Sequence, residues 1–216
     1  MKKILFLFAL VCGLSSFALL GGEPIVLGLT DTVQYPAANC DQTGLRLNVM
    51  GGVAESTGLT LGIANLTTGV SKGVQLGFVN WSESDVYGVH LGLFQDAKGG
   101  DFRGWQGGWI SLVRKDLYGV QGGLLAYTKG TVWGVQGGFL SGAGAVKGVQ
   151  WGCGNFSEDV KGAQVGLVNY GKSVKGVQVG LVNYVEKMNS GFQVGLVNII
   201  RNSDIPVLPI FNFLFE

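Results

Sequence analysis

Side chains that carry chemistry are scarce in this sequence of 216 residues. It has one histidine, His90, and beyond the N-terminal apolar run only two cysteines, Cys40 and Cys153. These three residues cannot supply the four ligands of a typical zinc site, and acidic residues fall mostly in polar turns. Glycine-rich runs such as Gly119–Gly123 lack the Lys-Ser/Thr and helix of a phosphate-binding loop. We therefore predict that the protein is not an enzyme and has no catalytic residue, cofactor or metal site.

The polar residues that do recur are amides, and they return every 14–16 residues. Each lies between glycines, and His90 occupies one of these amide positions, where we interpret it as a substitute for glutamine. The set is Gln75, His90, Gln106, Gln121, Gln136, Gln150, Gln164, Gln178 and Gln193. Such a regular belt of neutral hydrogen-bonding groups is the strongest candidate for a functional feature.

The element that positions these residues is a tandem repeat. Its units begin at Gly44, Gly58, Gly73, Gly88, Gly104, Gly119, Gly134, Gly148, Gly162, Gly176 and Gly191. Within a unit, Gly176, Gln178 and Gly180 alternate with Val177, Val179 and Leu181. Alternation with a period of two predicts β-strands, so we expect an all-β fold.

The first architecture that this pattern favours is an antiparallel, transmembrane-type β-barrel of about 12–14 short-looped strands. Transmembrane strands of 9–11 residues alternate lipid-facing apolar residues with lumen-facing polar or small residues. The nine amide positions would then line the lumen, and the asparagines that end many units, such as Asn169 and Asn183, would form an interfacial rim. The chain also nearly ends on alternating aromatics over Phe211–Phe215, as barrel proteins often do.

A β-solenoid with one coil of 14–15 residues per unit is the alternative, because near-constant period and stacked identical residues are typical of solenoids. Its core would be the Val/Val/Leu face, and its Gly-Gln-Gly face would be a flat surface for a ligand or partner. We interpret four tryptophans as lipid-facing or interfacial rather than sugar-stacking: Trp105, Trp109, Trp133 and Trp151.

Composition and the N-terminus bear on location. Charged residues make up 13% of the chain and hydrophobic residues 47%, which indicates surface that does not face water. The net charge is +1, and no basic stripe predicts nucleic-acid binding. Lys2 and Lys3, the apolar run Ile4–Leu14 and Ser16-Phe17-Ala18 predict a signal peptide over residues 1–18, followed by one domain over 19–216.

The repeat resembles a family of exported bacterial surface-repeat proteins. Members carry tandem Gly-[Leu/Val/Phe]-Gln-[Leu/Val/Ile]-Gly-Leu-[Val/Ile]-Asn units after a signal peptide and close on a Pro-[Ile/Val]-Phe-Asn-Phe strand. The corresponding segments here include Gly176–Asn183 and Pro209–Phe213. The resemblance implies association with the outer membrane and implies no biochemical activity.

Two functions are therefore predicted. The first is an outer-membrane barrel that is structural or passes small polar solutes, with the lipid bilayer as its partner. The second is a secreted solenoid, soluble at the cell surface or in the periplasm, that binds a partner. The sequence leaves the solute, the ligand and the oligomeric state open.

Overall fold

The computed structural model describes residues 23–30, 33–35 and 40–215. These residues form an all-β fold, 84% strand, that winds into a β-solenoid of about eleven turns. The predicted signal peptide lies outside the described residues, so that prediction stays untested.

Strands follow one another along the whole described chain. They are β1 (Glu23–Gly28), β2 (Gln34–Tyr35), β3 (Gln42–Val53), β4 (Ser56–Thr67), β5 (Ser71–Ser82), β6 (Val86–Leu91), β7 (Phe94–Ala97), β8 (Phe102–Val113), β9 (Leu117–Val179), β10 (Val182–Ile200) and β11 (Val207–Phe215). The long β9 runs through several successive coils, because its corners keep the extended hydrogen-bonding pattern.

Successive coils stack in parallel and in register with the repeat. Gly58 pairs with Gly73 and Gly73 with Gly88, so each residue lies beside its equivalent in the next unit. The same parallel pairing continues from β3 to β10. At about 4.8 Å per layer, eleven coils make a rod roughly 50 Å long.

The predicted barrel of 12–14 antiparallel strands is therefore not what the chain forms. The repeat reads nearly the same in both directions about its central glutamine, as in Gly176–Gly180, so antiparallel neighbours would match in residue type. A parallel stack in register matches them equally well. It also places amide beside amide, and these side chains hydrogen-bond directly from coil to coil.

Both ends of the stack depart from the parallel rule. At the N-terminal end, β1 pairs in parallel with β3 and antiparallel with the short β2. At the C-terminal end, β11 turns back and pairs antiparallel with β10, Phe213 lying opposite Phe192. The aromatic strand that suggested barrel closure is thus the last layer of a solenoid.

The solenoid alternative was correct in architecture, but its inside and outside were assigned wrongly. In the coil that begins at Gly162, the buried residues are Gln164, Asn169, Gly171 and Val174, whereas Val165 and Leu167 face outward. The apolar core occupies only one end of the interior, where Val160, Val174 and Val185 belong to a single cluster. Amides fill the other end. The Val/Val/Leu face that we expected to form the core is the exterior.

Candidate functional site

The structure brings all nine predicted amide positions together in one buried column. Gln178 Nε2 donates to Gln164 Oε1 at 2.6 Å, and Gln164 Nε2 donates to Gln150 Oε1 at 2.8 Å. Gln164 also donates to the Tyr170 carbonyl oxygen across its own coil, at 3.2 Å. The nine side chains are 0–2% exposed: Gln75, His90, Gln106, Gln121, Gln136, Gln150, Gln164, Gln178 and Gln193. They fill the coil interior, where a barrel would have placed a lumen.

His90 takes the place of a glutamine in this column. Its Nε2 lies 3.4 Å from Ser71 Oγ, and its ring packs edge-on against Phe102 with centroids 5.4 Å apart. Burial disfavours the charged imidazolium and lowers the pKa of His90 to about 3. The side chain is therefore neutral near pH 7, as the glutamines beside it are.

A second amide column was misplaced by sequence reasoning. Asn169 Nδ2 donates to Asn183 Oδ1, and Asn183 Nδ2 to Asn198 Oδ1, both at 2.8 Å. These asparagines are fully buried rather than forming an outer rim. The available signal was the pair of apolar residues before each one, such as Leu167 and Val168. Two consecutive outward residues shift the phase of the alternation at a corner.

The exterior opposite the apolar core is dominated by exposed hydrophobic side chains. In nine of the eleven units the most exposed of them is the corner residue, five positions after the unit glycine. Ten of the eleven corner residues are large and apolar, and they are 39–67% exposed: Val49, Ile63, Phe78, Leu93, Trp109, Leu124, Phe139, Leu167, Leu181 and Leu196. The eleventh corner residue is Cys153, a partly exposed free thiol.

This exterior carries no exposed charge. At positions 1 to 9 after the unit glycines, the only charged residues between Gly44 and Ile200 are Arg46 and Asp96. Arg46 is fully buried and Asp96 is 2% exposed. Asp96 pairs with Arg114, which lies at position 10, at 2.7 Å. We call the outward-facing residues at positions 1 to 8 the uncharged surface.

All other charged residues of the repeat lie from position 10 to the residue before the next glycine. Lys172, Glu186 and Arg201 are examples from the last coils. We call the residues from position 10 to the second residue before the next glycine the charged edge. The apolar core lies beneath it, since Val174 and Val185 are neighbours of these residues in the chain. In each coil, the amide side chains of the interior therefore lie behind the apolar exterior, and the apolar core lies behind the charged exterior.

The four tryptophans predicted to face lipid lie on or beside the uncharged surface. Trp105, Trp109 and Trp151 are 50–62% exposed on it. Trp133 precedes a unit glycine, at the border with the charged edge, and stacks on Tyr118 with centroids 6.1 Å apart. Their placement is consistent with the interfacial interpretation, which remains a prediction.

Between residues 23 and 215, in the parts described, no group of three or more His, Cys, Asp and Glu side chains could hold a metal ion. Over the same ranges, no helix is long and apolar enough to cross a membrane. No family model, curated protein or solved structure matches the chain. The resemblance to surface-repeat proteins therefore stays a prediction from the repeat.

Proposed function

We propose that this solenoid binds a lipid bilayer, with its uncharged surface against the hydrocarbon and its charged edge in water. One observation carries the proposal. Over about eleven coils, nine consecutive positions of each unit expose no charge while large apolar side chains stand half exposed. Contiguous apolar patches above a few hundred Å² are rare on soluble monomers and mark contact surfaces.

The energetics favour such a contact. Apolar surface contributes roughly 25 cal/mol for each Å² removed from water. Burial of only 400 Å², a small part of a rod about 50 Å long, would therefore contribute about 10 kcal/mol. This is ample for stable attachment even after the loss of rotational and translational freedom.

The backbone beneath the surface also suits contact with lipid. In hydrocarbon, each unpaired peptide group costs several kcal/mol, so backbone donors and acceptors must be satisfied within the protein. Strands of a solenoid pair with a coil on both sides, as β4 does with β3 and β5. In the described coils, unpaired strand edges lie only at the two ends of the stack, and the side of the rod presents none.

The proposal retains the predicted lipid partner and omits solute passage. Glutamine side chains fill the interior and bond to one another, so they do not border a channel in the described coils. The outer membrane of a bacterium remains the location that the sequence predicts.

Cys153 offers a direct test, since it lies in the corner column of the uncharged surface. A polarity-sensitive fluorophore would be attached there in a chain with Cys12→Ser and Cys40→Ser. The matched control carries the label on the charged edge, through Ser173→Cys with all three native cysteines replaced. On addition of lipid vesicles, we expect a blue-shifted emission at position 153 and an unchanged emission at position 173. Equal responses at both positions would contradict the proposed orientation.

Vesicle flotation with charge variants gives a second test. Leu124→Glu, Phe139→Glu and Leu167→Glu would place three carboxylates in the corner column, and we expect vesicle binding to be lost. The control puts three carboxylates on the charged edge through Thr68→Glu, Ser84→Glu and Ser173→Glu, and should still float. A wild-type chain that is soluble without detergent and never floats would overturn the proposal and favour the secreted, partner-binding solenoid.

A further inference from the structure

The two borders of the uncharged surface differ in charge. One border is formed by the residue before each unit glycine, and we call it the basic column. From Thr43 to Ser190 it contains five cations and three aromatics and no acid: Lys72, Tyr87, Arg103, Tyr118, Trp133, Lys147, Lys161 and Lys175. The opposite border, at position 10, mixes both signs, for example Glu158, Lys172 and Glu186.

Contacts within the basic column join its cations to its aromatic rings. The Arg103 guanidinium lies 5.1 Å from the ring centroids of both Tyr87 and Tyr118. Lys147 Nζ lies 3.7 Å from the Trp133 ring, which in turn stacks on Tyr118. Five successive coils therefore present a continuous series of three rings and two cations along one line of the rod.

Most of these cations are available to an external anion. Lys72, Lys161 and Lys175 are exposed. Between the described residues, the ion pairs within 4 Å are Arg103 with Asp101 and Arg114 with Asp96, so these three lysines belong to neither. Asp159 lies two residues before Lys161, and no acid lies within ten residues of Lys72 or Lys175 in the sequence.

We infer that the basic column lies at headgroup level and binds the phosphates of anionic lipids. This inference rests on the proposed function and adds the class of lipid and the border of the uncharged surface that lies at headgroup level. Tyr and Trp favour the membrane interface, where one end of the ring is apolar and the other wet. Adjacent lysines and arginines gain from the negative potential of anionic lipids. The opposite border contains no aromatic residue, and its five cations share the column with the acids Glu83, Glu158 and Glu186.

The experiment compares vesicles of phosphatidylcholine alone with vesicles that contain one third phosphatidylglycerol. The wild-type chain should bind the anionic vesicles at least tenfold more tightly, and this preference should disappear in 1 M salt, where the screening length falls to about 3 Å. The test variant carries Lys147→Glu, Lys161→Glu and Lys175→Glu. Its affinity for anionic vesicles should fall about 100-fold, since each basic residue near the surface contributes about fivefold.

The matched control makes the same change in net charge at the opposite border, through Lys129→Glu, Lys172→Glu and Arg201→Glu. It should lose less than threefold in affinity, and circular dichroism should show that both variants fold. Equal binding of the wild-type chain to both vesicle types would overturn this inference while leaving the proposed function intact. Equal losses in the two variants would also overturn it, because the effect would then come from net charge alone. Absence of binding to either vesicle would overturn both proposals.

Discussion

The side-chain amide of Gln164 donates to Oε1 of Gln150, fourteen residues earlier in the chain, at 2.8 Å. The same oxygen accepts a hydrogen bond from Ser157 Oγ at 2.9 Å, and the Gln150 amide donates to Gln136 Oε1 at 2.9 Å. One buried glutamine therefore satisfies three neighbours at once. Because these side chains have no access to water, replacement of one glutamine leaves buried polar atoms of its neighbours without a partner.

Replacement of one glutamine should measure this dependence. Gln150→Leu removes the acceptor of Ser157 and the donor to Gln136, and an unpaired buried group costs about 1–3 kcal/mol. We expect the free energy of unfolding to fall by about 2–4 kcal/mol in a urea titration. Lys172→Ala, on the charged edge, is the control and should change it by less than about 0.5 kcal/mol. A Gln150→Leu variant as stable as the wild type would show that the amide column does not hold the coils.

The unit glycines provide a second prediction. Eleven of them, from Gly44 to Gly191, have φ between 116° and 150°, a region that L side chains rarely adopt. A Cβ on Gly176 would also overlap the carbonyl oxygen of Gly162 in the coil before it. Gly176→Ala should therefore cost about 3 kcal/mol or more.

Gly122 is the matched control for this change. It has no such φ, and a Cβ there would meet nothing within 4 Å. Gly122→Ala should leave stability unchanged or raise it by about 0.5 kcal/mol, because alanine restricts the unfolded chain. Thermal unfolding of the two variants would be compared. Equal losses of stability would contradict the claim that close stacking of the coils requires the unit glycines.

His90 makes stability depend on pH. Its folded-state pKa is lowered to about 3, below the ordinary value of 6.5, so the unfolded chain binds the proton more readily. The neutral side chain leaves stability intact above pH 6.5, and stability should fall by about 1 kcal/mol per pH unit between roughly pH 6 and pH 3. The polar and aromatic neighbours Ser71 and Phe102 carry no charge that would offset this.

His90→Gln restores the residue that most units have at this position and should remove that slope. Urea titrations of both chains at several pH values would give the difference, in which the contributions of the exposed carboxylates cancel. Identical pH profiles would mean that His90 is not buried as a neutral group.

The antiparallel strand β11 should prevent coils of different chains from stacking. Without residues 206–216, the parallel edge of β10 from Phe192 to Ile199 would lose its partner strand. We expect the truncated chain to form larger assemblies than the full chain in the same detergent, by size-exclusion chromatography with light scattering. Phe215→Ser keeps the strand and should not do so. A truncated chain with the mass of the full chain would show that β11 is dispensable as a cap.

Sequence reasoning found the repeat, its boundaries and the all-β class, because alternation and self-similarity are local properties. It could not fix the direction of neighbouring strands. Whether Gly176 lies beside Gly162 in a parallel pair, or opposite Gly166 in an antiparallel pair, depends on the conformation of the unit glycine and the corner, which alternation does not report. The bend at Leu167 and Val168 shows in the sequence only as two consecutive apolar residues, within a pattern that otherwise predicts a continuous strand.

Burial was harder to predict than topology. Sequence reasoning for a solenoid placed valine and leucine inside and glutamine outside, as for a soluble protein. The structure reverses this around Gln164 and Val165, because a column of identical amides in register can satisfy its own hydrogen bonds. That compensation comes from equivalent residues in neighbouring coils, and a single unit read alone does not display it.

The in-register stack has a consequence for how such a molecule can change. Each unit contributes one layer about 4.8 Å thick and repeats the same exterior columns. Insertion or deletion of one whole unit would therefore alter the length of the rod by a fixed step and leave its surfaces continuous. A change of one or two residues would instead disturb the register of a coil with both its neighbours. The number of repeat units therefore sets the length of the rod.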